Sequence, residues 1–151
     1  MTATDISAAM ASEASRRYDA TIAAGATPPP TAPVFAASCL EDVEGTFHTV
    51  TCIDVLIHYP QTKVDAMLAG LASKATDRVV VSFAPSTPYY EALKRVGELF
   101  PKGAKATRAY LHREEDVEAA LARAGWRVAR KEMTATKFYF SRLFEAVPAR
   151  A

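Results

Sequence analysis

Residues 48–58 read HTVTCIDVLIH, a mostly apolar run rich in β-branched side chains. Such a run, too continuous to alternate between a wet and a dry face, predicts a strand buried on both faces of a parallel sheet. Pro60 follows at once and opens a helix at its first position, where the missing amide hydrogen costs least. Val64, Met67, Leu68 and Leu71 then recur at i, i+3, i+4 and i+7, giving that helix one apolar face. RVVVSFA at 78–84 predicts a second buried strand. Thr87-Pro88 begins another helix, with Tyr89, Leu93, Val96 and Phe100 on one side.

The alternation extends in both directions. PKGAKAT at 101–107 is a basic loop, and His112 to Gly125 reads as a helix with its acids in the first turn, which suits the helix dipole. Its core face is Val117, Ala120, Leu121 and Ala124. WRVARKEMTA (126–135) and KFYFSRLFEAV (137–147) are successive strands with no helix between them, so they pair antiparallel. Upstream, Ser7 to Ala24 is an Ala-rich helix capped by Ser7, stopped by Gly25 and preceded by a strand end. TPPPTAP at 27–33 is a surface connection leading into a strand, VFAAS. The sum is an α/β fold with a mainly parallel sheet carrying one reversed strand, in one structural domain.

With 151 residues and 50% hydrophobic content the chain can bury one real core. Eighteen basic against 17 acidic residues leave a net charge of +1, too weak a field to argue for nucleic acid. No stretch approaches the roughly 20 apolar residues that cross a bilayer. Residues 1–25 superficially resemble an organelle transit peptide, but Asp5, Glu13 and Asp19 oppose that composition and favour a folded helix. Cys39 and Cys52 form no CxxC pair and read as reduced core thiols. No zinc, P-loop, GxSxG or GxGxxG pattern occurs, and no metal site is expected.

In open α/β sheets ligands bind beyond the carboxyl ends of strands. That rule selects Asp5, Ser38 and Cys39, Asp54 to Tyr59, and Ala84 to Thr87, which are expected to face one crevice. Asp5 is placed either to accept from ribose hydroxyls or simply to cap the following helix. His58 and Tyr59 sit where strand meets helix, a position as suited to packing as to catalysis. Lys94, Arg95, Lys102, Lys105 and Arg108 either meet an anionic substrate or form a solvated face. Tyr89, Tyr90, Tyr110, Phe138, Tyr139 and Phe140 offer rings to a flat apolar ligand, although most suit a core.

CIDVLIHYPQ (52–61), VSFAPSTPYYEALKRVGELFP (81–101), KATRAYLHREEDVEAAL (105–121) and TKFYFSRLFEAVP (136–148) closely resemble the magnesium protoporphyrin IX O-methyltransferases of chlorophyll biosynthesis. The similarity runs from about Asp5 to Pro148 and is densest after Cys52, so that 1–51 read as a remnant of the cofactor-binding part and 52–148 as the carboxyl-terminal region. The resemblance implies a class I, Rossmann-like, S-adenosylmethionine-dependent methyltransferase sheet whose last strand is antiparallel. TDISAAM at 4–10 then makes Asp5 the ribose-binding acid, with Ile6 beside it. Family members carry an acidic residue at the position of Cys39 to bind the adenine amino group, and a thiol is a weak acceptor. Leu40 supplies a backbone amide to the adenine, and Asp54 and Val55 line the methionine side.

The implied reaction esterifies one propionate of the magnesium porphyrin. A carboxylic acid with a pKa of about 4 to 5 arrives ionised at neutral pH, so no strong base is needed. His58 is thereby an orienting hydrogen-bond donor, with Tyr59 beside it, and Lys94, Arg95 and Arg108 pair the propionates. Magnesium chelatase and peripheral membrane contact are further partners the resemblance points to, with placement in a chloroplast, or in the cytoplasm of a photosynthetic bacterium. Family enzymes begin earlier, with a first strand and a glycine-rich loop that this sequence lacks. The chain is accordingly expected to be part of a longer enzyme and not to methylate alone, ahead of the rival reading as a non-catalytic tetrapyrrole-binding or interaction protein.

Overall fold

The structure, a computed structural model, describes residues 1–87, 110–136 and 139–149. The chain divides into two compact units, Met1–Gly45 and Thr46–Ala151.

In the first unit β1 (Thr2–Asp5) pairs in parallel with β2 (Val34–Ala37), the two strands being joined through α1 (Ala8–Ala23). Ser7 caps α1 as its sequence position predicts, its hydroxyl accepting from the Met10 N–H at 3.4 Å. Gly25, at φ 96°, ends the helix in the left-handed region that a side chain would strain. Tyr18 of α1 packs on Phe35 of β2 with ring centroids 5.9 Å apart. On the exposed side, hydrogen bonds from Arg16 and then Arg17 hold the Glu13 carboxyl down at about 2.

Among the described residues the second unit holds four strands, β3 (Phe47–Cys52), β4 (Ala75–Phe83), β5 (Trp126–Ala135) and β6 (Phe140–Pro148), in the order β3-β4-β6-β5. β3 and β4 are parallel, with Cys52 opposite Val81, while β6 runs antiparallel to both of its neighbours. A single reversed strand in an otherwise parallel sheet is the arrangement the sequence pattern predicts. Val79, Val81, Ser82 and Phe83 of β4 are all buried, as a central strand covered on both faces requires.

α2 (Gln61–Lys74) buries Val64, Met67, Leu68, Leu71 and Ala72, so the apolar face expected from the spacing is the packed one. It lies against α3 (Glu114–Arg123), whose Val117, Ala120 and Leu121 are buried and whose Arg123 reaches Asp65 of α2 at 2.5 Å. Phe83 and Phe144 meet edge to face at 5.0 Å between β4 and β6. Each large apolar side chain buried this way contributes about 1.5–3 kcal/mol relative to exposure. This core fixes the strand ends from which the polar residues project.

Four expectations need correction. The strand of 48–58 ends at Cys52 and gives way to a 3-10 turn over Leu56–His58, because Asp54 takes φ 56° and breaks the extended path. Pro60 is the N-cap of α2 rather than its first residue. The helix expected from His112 starts at Glu114; His112 itself is bridged to Pro85. Cys39 is exposed and outside any core, since it lies past the last paired residue of β2, whereas Cys52 is buried. The helix expected from Thr87-Pro88, with Tyr89, Tyr90, Leu93, Val96 and Phe100, and the loop 101–107 fall outside the described residues.

Candidate active site

Beyond the carboxyl ends of β3 and β4 the backbone turns at Asp54, and three elements converge on that residue. The Asp54 N–H donates to Ser82 Oγ at 2.8 Å, and the Ser82 hydroxyl donates back to Asp54 Oδ1 at 2.9 Å. Ser141, at the start of β6, donates to the same Oδ1 at 3.4 Å. The Tyr139 hydroxyl donates to Oδ2 at 2.7 Å. Ser82 and Ser141 are buried while Tyr139 is 44% exposed, so the carboxylate is anchored from inside and capped from outside. The neighbouring Ser141 hydroxyl favours ionisation of Tyr139, but the hydrogen bond to Asp54, burial and the carboxylate's charge oppose it and raise the Tyr139 pKa.

Next along the chain, the 3-10 turn places His58 and Tyr59 directly before α2. The His58 N–H donates to Val55 C=O and the Tyr59 N–H to Leu56 C=O, each at 3.0 Å. His58 is exposed and Tyr59 half-buried. The turn is strapped from a distant segment: the Tyr110 N–H donates to Ile57 C=O at 2.8 Å, and the buried ring of His112 lies 2.9 Å from Leu56 C=O. His112 is also tied to the segment after β4, its N–H donating to Ala84 C=O at 2.9 Å and its C=O accepting from Ser86 N–H at 2.7 Å.

The second unit therefore brings together Asp54, Val55, His58 and Tyr59 at one strand end. Ser82, Ser141 and Tyr139 hold Asp54, and His112 holds Leu56 and Gln61 on either side of His58 and Tyr59; of these four the sequence reading singled out only Tyr139, and as a ring for a flat ligand. Buried serines within apolar strands were a usable signal, because a hydroxyl there must find a partner.

In the first unit, Asp5 stands at the carboxyl end of β1 with its Oδ1 accepting from Ser7 N–H at 2.7 Å. Only that oxygen is engaged among the described residues. Ile6 is exposed, Leu40 is half-buried, and Cys39 occupies a turn closed by the Asp42 N–H on its own carbonyl at 3.2 Å. Lys94, Arg95, Lys102, Lys105, Arg108 and Phe138 lie outside the described residues. Among the described residues no group of His, Cys, Asp and Glu is arranged to hold a metal ion, and no helix is long and apolar enough to cross a membrane.

Parallel strands with a reversed last strand, and polar residues clustered at their carboxyl ends, define the α/β fold of the class I S-adenosylmethionine-dependent methyltransferases. Residues 52–148 match the family described as magnesium-protoporphyrin IX methyltransferase C-terminus, and the chain belongs to that family. It is 54% identical over 148 residues to the chloroplastic magnesium protoporphyrin IX methyltransferase of Arabidopsis thaliana, a match covering 98% of this chain and 46% of that protein. The magnesium-protoporphyrin O-methyltransferase of Synechocystis sp. is 43% identical over 143 residues, covering 95% of this chain and 60% of its own length. The crystal structure of magnesium protoporphyrin IX methyltransferase from Synechocystis PCC 6803 with bound SAH superposes with a TM-score of 0.83 at 41% identity, covering 97% of this chain and 63% of that one. The chain thus spans between about half and three fifths of the curated relatives it matches.

Proposed function

We propose that this chain forms part of an enzyme that transfers a methyl group from S-adenosylmethionine to a propionate carboxylate of magnesium protoporphyrin IX, giving the monomethyl ester in chlorophyll biosynthesis. The observation that carries the reading is the restrained turn bearing His58 and Tyr59 just beyond β3, within the stretch 52–148 that matches the family. When bound, S-adenosylmethionine supplies an electrophilic sulfonium methyl group.

The chain's own residues have complementary tasks. His58 donates a hydrogen bond that orients the incoming carboxylate, which is already ionised at neutral pH and needs no base. Tyr59 lines the same position. His58 is exposed beside the fully buried Leu56, so a flat porphyrin laid over the turn would strip water from its own carboxylate on binding. Rate then comes from alignment and desolvation rather than from proton transfer.

For the cofactor, the observation that speaks for a fit is the exposed Asp5 carboxylate, which has one oxygen committed to Ser7 and the other available to ribose hydroxyls. Ile6, Cys39 and Leu40 would surround the nucleoside, and Asp54 and Val55 the methionine side. Lys94, Arg95 and Arg108 are the proposed partners of the propionates. Magnesium chelatase and a membrane surface are the proposed further contacts. The chloroplastic relative and the Synechocystis relative support placement in a chloroplast or in the cytoplasm of a photosynthetic bacterium.

Titrating the chain calorimetrically with S-adenosylhomocysteine and, separately, with magnesium protoporphyrin IX tests the reading. Saturable binding of the porphyrin is expected, weakened by substitution of Tyr59. Absence of any porphyrin binding, by this chain and by the full-length protein that contains it, would overturn the substrate assignment.

A further inference from the structure

His112 is fully buried, yet its ring is committed to polar contacts at both nitrogens. Nε2 lies 2.9 Å from Leu56 C=O and Nδ1 lies 2.7 Å from Gln61 Oε1, an acceptor as placed. Leu56 opens the 3-10 turn and Gln61 opens α2, so a single ring brackets the whole segment that carries His58 and Tyr59. A carbonyl oxygen can only accept, which puts a proton on Nε2. A second proton on Nδ1 would create a buried cation with no carboxylate hydrogen-bonded to it among the described residues, at high desolvation cost. Turning the Gln61 amide so that its NH2 donates to Nδ1 avoids that cost, because its oxygen and nitrogen are interchangeable in shape.

The ring is not needed merely to fill space. It packs on Phe83 at 6.5 Å between centroids, a role that a leucine of similar size would serve. Without the ring, Leu56 C=O would still accept from the Tyr59 N–H at 3.0 Å, so the turn could form but would lose its lateral restraint. We propose that neutral His112, donating from Nε2 to Leu56 and accepting at Nδ1 from Gln61, is the positioning residue that holds the His58–Tyr59 turn in register for methyl transfer. The proposal rests on the role given above to His58 and Tyr59.

The test compares H112L, H112N and H112Q in the full-length protein that contains these residues. A glutamine can bring an amide N–H to the place of Nε2, whereas an asparagine is too short to reach Leu56. H112L and H112N are expected to lower kcat by up to about 100-fold, the scale of a misplacement of about 1 Å at a reacting centre, with little change in KM for the cofactor. H112Q should recover most of the loss. Equal losses in H112Q and H112L, an effect on KM alone, or an unchanged kcat would overturn it. Should H112L fail to fold, Q61L removes one of the two ring contacts, and an unaltered kcat there would count equally against it. Nitrogen-detected NMR of the ring in this chain gives a readout independent of activity: a protonated Nε2 with a bare Nδ1 is expected, and a proton on Nδ1 overturns the geometry. If the parent protein transfers no methyl group, the functional reading fails while the ring spectrum still decides the role of His112 as a clamp.

Discussion

Asp54 and Ser82 hold each other reciprocally: the Asp54 N–H donates to Ser82 Oγ at 2.8 Å, and the Ser82 hydroxyl returns a bond to Asp54 Oδ1 at 2.9 Å. The pair explains why the chain can turn where its β-branched composition favours a longer strand. Aspartate tolerates the left-handed region better than most residues, and the serine fixes both its backbone and its side chain there. Ser82→Ala should therefore leave a backbone N–H without its partner and destabilise the chain by about 1–3 kcal/mol. Urea unfolding measures this, and an unchanged midpoint would deny the pair its role.

Replacing Asp54 separates backbone conformation from charge. Asp54→Asn keeps a residue tolerant of φ 56° and should cost less stability than Asp54→Val, which adds strain of about 1–3 kcal/mol. Removing the carboxylate charge also removes an influence that raises the Tyr139 hydroxyl against the downward pull of Ser141. The Tyr139 pKa should consequently fall in Asp54→Asn. Absorbance titration, with Tyr139→Phe identifying its signal among the six tyrosines, reads the shift; a rise would contradict the network.

Cys52 gives stability a defined pH dependence. Burial pushes its thiol up from 9.0 to about 11. Between those values the unfolded chain has released the proton and the folded chain has kept it, so stability falls as pH rises through this window and is unaffected by this group below it. The slope is about 1.4 kcal/mol per pH unit. Denaturation at several alkaline pH values should show that slope and lose it in Cys52→Ala; the same slope in the variant would assign it elsewhere.

Asp5 is expected to do two things at once, capping Ser7 and receiving ribose. Asp5→Asn retains a cap acceptor but removes the charge, whereas Asp5→Ala removes both. Cofactor affinity should drop in both, by roughly 10-fold or more in the alanine variant, while helix α1 frays only in Asp5→Ala. Unchanged affinity by calorimetry would leave Asp5 as a cap alone.

What the sequence made legible follows from range. The spacing of Val64, Met67, Leu68 and Leu71 reports burial within a single helix, and all four are buried. The paired final strands and the Ser7 cap are likewise local patterns. The end of β3 was not legible, because it depends on Asp54 meeting Ser82, 28 residues away, and Tyr139, 85 residues away. The sequence makes His112 the start of a helix because the acids after it dominate the local pattern, while its partners Leu56 and Gln61 lie 56 and 51 residues back. Cys39 looked like core by composition, but it follows the last paired residue of β2 and is exposed. Asp54, Val55, His58 and Tyr59 could still be singled out, because an apolar run giving way to Pro60 marks a strand-to-helix junction locally even where it does not fix the last residue of the strand.

In the proposed reaction the turn carrying His58 works at the site of carboxylate methylation. The most direct measurement follows formation of magnesium protoporphyrin IX monomethyl ester by mass spectrometry, using the full-length protein that contains these residues, S-adenosylmethionine and the magnesium porphyrin. Ester formation that falls by about 100-fold in His58→Ala, with the pH profile of the parent showing no requirement for a base near neutrality, is the result expected. Undiminished ester formation by His58→Ala, or no ester from a parent protein that binds both compounds, would contradict it.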